Sequence, residues 1–210
     1  MEIPYARQLR CSVKSPKIDI SNGCLAFLCA YCVFDPRGSF LPFLLSVGAH
    51  ELGHLLTLRY LHVPIKSIQG TLSGFEIRTD PLSYRQEILV AASGPGMNLI
   101  LCLLTKETCP IMAIINTVLL LYNLLPIYPL DGGRILRSFL FANLIPPHAE
   151  RIEQCCSLTV FICIFLGSVY LSFTYRCGMW PILFCAFLFY RLGETILPKR
   201  KISLDKIIIP

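Results

Sequence analysis

The sequence predicts an all-α polytopic membrane protein of about six transmembrane helices, with one small membrane-associated β-hairpin. Three observations carry that prediction. Hydrophobic residues make up 54% of the 210 residues and charged residues only 15%, where a soluble domain carries about a quarter. The mean hydropathy is +0.62. Apolar runs with few or no charges recur at lengths near the roughly 20 residues, or about 17 at the short end, that a helix needs to cross the hydrocarbon core. The net charge of +6 is modest, and in a membrane chain such an excess sets topology. No nucleic-acid partner is expected.

The elements follow in order. Residues 1–19 are polar and basic with no early apolar core, so a cleavable signal peptide is not expected. The run 23–34 is short, a brief tilted span or a re-entrant segment. The run 38–58 contains one charge, Glu51, and is the first full-length span. Val63 to Ile77 differs in kind: Ile65, Ile68 and Leu72 alternate with Ser67, Gly70 and Gly74, which suggests short strands broken by glycine turns. Either such strands line a protein-shielded cavity at membrane depth, or they form an ordinary cytoplasmic hairpin. The runs 88–105, 110–130 and 157–175 are charge-free, and 177–197 is charge-free as far as Tyr190. Together these give spans at 23–34, 38–58, 88–105, 110–130, 157–175 and 177–197 in a single domain, 1–210, without internal repeats.

Charge bias orients this arrangement. With six spans, sixteen of the 19 Lys and Arg fall on one side, and only Arg37, Lys106 and Arg176 fall on the other. Positive loops stay inside, so both termini of a multi-pass protein of the cell membrane should be cytoplasmic. Of the eleven cysteines, most stand singly in apolar runs (Cys24, Cys29, Cys32, Cys102, Cys163, Cys185), and no CxxC pair occurs. They read as small hydrophobes in a reduced environment rather than as a disulfide framework.

The chemistry is carried by Ala49-His50-Glu51-Leu52-Gly53-His54, an HExxH motif inside the 38–58 span. On a helix, positions i and i+4 share a face, so both imidazoles can reach one metal ion while Glu51 sits beside it as general base for an activated water. Chance can supply so short a motif. Two histidines and a carboxylate in an apolar span are costly, however, and point to function. The bland alternative is a polar knot that glues helices together. Catalytic zinc usually takes three protein ligands and keeps one position open. His62 follows the helix end and His148 follows a Pro-Pro pair, so neither is well placed. Among carboxylates, Asp131 stands out at the end of Asn123-Leu124-Leu125-Pro126-Ile127-Tyr128-Pro129-Leu130-Asp131-Gly132-Gly133. There prolines end a helix and glycines permit close backbone approach. A simple helix stop is the competing explanation.

HELGH in an early span, Ser93-Gly94-Pro95-Gly96-Met97-Asn98 in a middle one and NLLPIYPLDGG at the end of a later one together resemble the site-2 protease family of intramembrane zinc metalloproteases. The resemblance runs from about Gly38 to Leu136 and is nearest the branch of stage IV sporulation protein FB. It implies that His50, His54 and Asp131 bind zinc, that Glu51 activates water, and that Asn123 positions substrate or stabilises the oxyanion. The Val63–Ile77 segment would align substrate as an added strand. Implied partners are a membrane-associated protein substrate (in that branch a sigma-factor precursor during sporulation), the lipid bilayer and an inhibitory membrane partner. General membrane signalling or clearance is an equally open role. Neither a PDZ insertion nor a nucleotide-sensing domain is expected in this chain. Asn98 reads either as part of a helix-packing kink or as a direct participant. Two other classes compete with a protease. A metal-binding transporter would not use Glu51 as a proton carrier, and a silent scaffold would not need an intact HExxH.

Overall fold

The computed structural model describes residues 17–35, 38–71, 74–174, 185, 186, 188 and 189. Among them the chain forms strand β1 (Lys17–Ile20), helix α1 (Asn22–Val33), α2 (Phe40–Tyr60), β2 (Ile65–Thr71), β3 (Gly74–Thr79), α3 (Tyr84–Thr105), α4 (Pro110–Asn123), α5 (Asp131–Asn143) and α6 (Pro146–Thr174). The helices begin where local chemistry satisfies their free N–H groups. The Ser21 hydroxyl accepts from the Cys24 amide at α1. Ser83 and Gln86 form a capping box at α3, and Pro110 opens α4, where a missing N–H costs nothing. At α2 the Asp35 carboxylate accepts from the Phe40 amide at 2.7 Å.

The packing is that of a membrane bundle. The inward residues of α2, α3 and α4 are mostly small or polar: Ser46, His50, Gly53 and His54; Ala91, Gly94 and Asn98; Ala113 and Asn116. Leu44, Leu52, Leu56, Leu99, Leu103, Val118 and Leu121 face outward. In lipid, helices gain nothing by hiding leucine from tails that are equally apolar, so close contact and hydrogen bonds hold them together. A Cβ added at Gly53 would come within 2.6 Å of the Ser93 carbonyl oxygen and 2.7 Å of Met97 Cγ. Glycine thus sets the separation of α2 and α3.

Among the described residues, α2, α3 and α6 are long and apolar enough to cross a membrane, while α1 and α4 are shorter apolar helices. At 1.5 Å per residue, the 12 residues of α1 rise about 18 Å, well short of the roughly 30 Å hydrocarbon core. The span expected over 110–130 ends as a helix at Asn123. Pro126 and Pro129 withhold two N–H donors from the turn that follows. The connecting segment expected over 131–156 is largely helical, holding α5 and the first turns of α6. α5 has an apolar and a polar face, so a search for uncharged runs passes over it. The expected span 177–197 lies outside the described residues apart from four of them.

The hairpin expected after the HExxH helix is present as β2 and β3, antiparallel from Ile65↔Thr79 to Thr71↔Gly74. A third strand, β1, joins it in parallel, Lys17↔Ser67 to Ile20↔Gly70. Its four residues are all exposed and too few for an alternation signal to register. Arg137 ties α5 to α6. Its guanidinium lies 3.2 Å from both Glu153 oxygens and about 5 Å from the ring centroids of Tyr128 and Phe141. The Ser157 hydroxyl donates to the Pro126 carbonyl, holding the turn before Asp131 against α6.

Candidate metal centre and active site

His50 and His54 stand one turn apart on α2, buried, with their Nε2 atoms 3.1 Å from each other. Asp131, the first residue of α5, brings Oδ2 to 3.2 Å from His50 Nε2 and 3.3 Å from His54 Nε2. The structure therefore joins the three side chains singled out as ligand candidates, across 81 positions of sequence between His50 and Asp131.

The hydrogen-bond network fixes what these atoms present. Asn116 Nδ2 donates to the Met112 carbonyl and to Ser46 Oγ, both at 2.8 Å, which turns its Oδ1 towards Asn98. Asn98 Nδ2 donates to that Oδ1 at 2.8 Å and to the Ser46 carbonyl at 3.3 Å. A backbone carbonyl can only accept, so Asn98 Oδ1 must be the atom facing His50 Nδ1, 2.6 Å away. His50 Nδ1 then carries the proton. His54 Nδ1 likewise donates to the Val90 carbonyl at 2.7 Å. In the neutral rings both Nε2 atoms are left with bare lone pairs, and Asp131 Oδ2 is a buried oxygen that accepts no hydrogen bond. Three acceptors face one another with no proton among them, an arrangement that a cation resolves.

The spacing fits zinc. Donors about 2.0–2.1 Å from a tetrahedral ion lie about 3.3 Å apart, and the triangle here has edges of 3.1, 3.2 and 3.3 Å. Two imidazoles and one carboxylate are a donor set typical of catalytic zinc, with the fourth position left open. His50, His54 and Asp131 can thus hold the ion that the sequence led us to expect.

Glycines let the elements close around these donors. A Cβ at Gly94 on α3 would run into the ring atoms of His54 and come within 2.7 Å of His50 Cε1. Gly132 and Gly133 press their backbone against Leu124, Leu125, Ile127 and Tyr128, where a side chain would strike main-chain atoms. They seat Asp131 at the N-terminus of α5, an end that favours negative charge. Asp131 Oδ1 accepts from Arg134 Nη1 at 3.1 Å, and Arg134 Nε donates to Glu87 Oε1 at 2.8 Å. Burial works against the Arg134 charge, and the two carboxylates more than offset it, raising its pKa.

Glu51 is half-buried on α2 between the two histidines in sequence. Asn123 ends α4, half-buried, and its amide donates to the Leu119 carbonyl of its own helix. His62 and His148 are exposed and stand apart from the metal-binding group. The sequence did not reveal Ser46, Asn116, Glu87 or Arg134. Apart from the cost of charge or amide in an apolar run, nothing local marks them.

Residues 105–167, which include Asp131, match the model of Peptidase family M50. A putative zinc metalloprotease of Synechocystis is 34% identical over 111 residues, 46% of this chain and 29% of the relative. Stage IV sporulation protein FB of Bacillus subtilis is 32% identical over 143 residues, 60% of this chain and 48% of the relative. A site-2 protease from Methanocaldococcus jannaschii shares the fold, with a TM-score of 0.61 at 20% identity over 84% of this chain and 89% of that one. The chain is thus similar to Peptidase family M50 over 105–167 and to these zinc metalloproteases in part, and it shares the fold of a site-2 protease. It spans about half or less of the length of the curated relatives it matches. His50 and His54 of the HExxH helix and Asp131 of the LDGG turn form a group that could hold a metal ion.

Proposed function

We propose that this chain is an intramembrane zinc metalloendopeptidase that hydrolyses a peptide bond in or near a membrane-associated segment of a protein substrate. The observation that carries the proposal is the convergence of three buried lone-pair atoms, His50 Nε2, His54 Nε2 and Asp131 Oδ2, beside Glu51. In this reading His50, His54 and Asp131 hold zinc, and the whole chain, 1–210, is one protease domain. Zinc, when bound, supplies Lewis acidity and makes a neighbouring water more acidic. Glu51 accepts a proton from the attacking water as the new C–O bond forms. It then delivers that proton to the departing amide nitrogen as the C–N bond breaks. Asn123, the last residue of α4, binds the substrate backbone or the developing oxyanion in this reading. A substrate helix must unwind to expose its peptide bond, and pairing with the β2–β3 hairpin would replace the backbone hydrogen bonds it loses. Both termini are cytoplasmic in this reading, and the site opens towards the cytosol. The sporulation role, with a sigma-factor precursor as substrate and a restraining membrane partner, is the finer form of the proposal. Its support is the resemblance to the sporulation protein of Bacillus subtilis.

The test uses purified protein in lipid, as wild type and Glu51→Gln. Wild type should carry one zinc and cut a membrane-anchored substrate. A chelator should stop the cutting and added zinc restore it. The variant should keep its zinc and lose cleavage; a Glu51→Gln protein that still cuts would remove Glu51 from the mechanism.

A further inference from the structure

We infer that Arg134 is a positioning residue that restricts Asp131 to ligation through one oxygen, and that Glu87 holds Arg134 in place for that task. The inference rests on the metalloprotease reading and deepens it.

An aspartate beside a divalent ion can offer one oxygen or both. The choice decides how many positions remain for water and substrate. Here the two oxygens of Asp131 have different environments. Oδ2 points into the His50–His54 pair and is otherwise unpartnered. Oδ1 accepts from Arg134 Nη1 at 3.1 Å. Arg134 stands three residues after Asp131 on α5, one turn on and on the same face, so the contact is built into the helix.

Arg134 is itself anchored away from α5. Its Nε donates to Glu87 on the first turn of α3 at 2.8 Å, and both side chains are about one-quarter exposed. The planar guanidinium thus bridges two carboxylates on two elements, which a lysine ammonium does with less directional control. Glu87 follows directly on the Ser83–Gln86 capping box, and its backbone amide donates to the Ser83 carbonyl at 2.9 Å. Rotation of the Asp131 carboxylate to bring both oxygens to a metal would break the charged hydrogen bond to Arg134. It would also strip a half-buried guanidinium of one of its two partners. Groups that orient a ligand from behind typically alter metal affinity by about 10–100-fold when removed.

Cobalt is a suitable probe, because a four-coordinate Co(II) centre absorbs visible light far more strongly than a five- or six-coordinate one. Wild type, Arg134→Met, Arg134→Lys and Glu87→Gln, all in the Glu51→Gln background so that no turnover intervenes, are loaded with Co(II) in lipid. Zinc affinity is measured in parallel by competition with a chelator. Wild type should give the intense four-coordinate spectrum. Arg134→Met should weaken zinc binding by about 10–100-fold and lose band intensity. Arg134→Lys should recover part of both, and Glu87→Gln should fall between wild type and Arg134→Met. Unchanged spectra and affinities in the variants that fold would overturn the inference and leave the metalloprotease reading standing. If Arg134→Met does not fold, Arg134→Lys and Glu87→Gln decide by the same criterion. Wild type that takes up neither cobalt nor zinc would overturn the underlying reading instead.

Discussion

At the scale of single residues, the site depends on atoms that supply orientation rather than ligation. Gly94 is one of them. A methyl group there would overlap the ring of His54 and crowd His50. Gly94→Ala should therefore lose zinc by about tenfold or more, as losses of ligand orientation do, while circular dichroism shows the helices intact. Asn98 is another, fully buried, with one oxygen on His50 and two donors on Ser46 and Asn116. Its two functions separate by substitution. Asn98→Leu removes the acceptor that fixes the His50 tautomer and should weaken zinc by about 10–100-fold. Asn98→Asp keeps that acceptor and loses the donors. It should hold zinc within a few-fold of wild type and unfold more easily, by about 1–3 kcal/mol for each buried acceptor left bare. Equal zinc loss in both variants would show that the network acts through packing alone. The two histidines and Asp131 were legible in the sequence, because charge and imidazole in apolar runs advertise themselves. Arg134 and Glu87 were not. They lie 47 positions apart, at the ends of apolar runs where a charge is ordinary, and only the fold shows that they meet.

Among elements, the turn between α4 and α5 does the most to build the site. Prolines end α4 early, and glycines allow the next helix to start against the backbone it has just left. A Cβ at Gly132 would strike the Leu124 carbonyl and lie 2.6 Å from that of Leu125. These are main-chain atoms that cannot swing aside. Gly132→Ala should shift the start of α5, withdraw Asp131 and leave a two-histidine site. Its zinc content after dialysis should fall well below that of wild type, with helix content nearly unchanged. Retention of full zinc would mean that Asp131 is not the third ligand. Sequence reading located this turn but placed it at the end of a 21-residue run, 110–130, because hydropathy does not register where hydrogen bonding stops. It also read 131–156 as connection. Hydropathy finds helices that are apolar all round, whereas α5 carries Asp131, Arg134 and Arg137 at three-residue spacing along one side.

For the whole molecule, orientation in the membrane decides which compartment the site serves. In the orientation proposed from charge bias, the α3–α4 turn, with Lys106 and Glu107, would lie on the outer side, and the strands β1–β3 with the start of α3 on the cytoplasmic side. The structure adds a geometric constraint. The hairpin leaves the C-terminal end of α2 and returns into the N-terminal end of α3, so one membrane face must carry both, together with Lys66, Arg78 and Arg85. His54 lies six residues before the end of α2 and Glu87 three residues after the start of α3, so the metal group is nearer that face than the α3–α4 turn. Alkaline phosphatase, active only outside the cytoplasm, reports the side directly. Fused after Lys106 it should be active, and fused after Asp80 it should be inactive. The reverse result would turn the site outward and require a substrate cut on the far side of the membrane. Activity at both positions, or at neither, would mean that α3 does not cross, and the bundle could not then enclose its metal group within the bilayer.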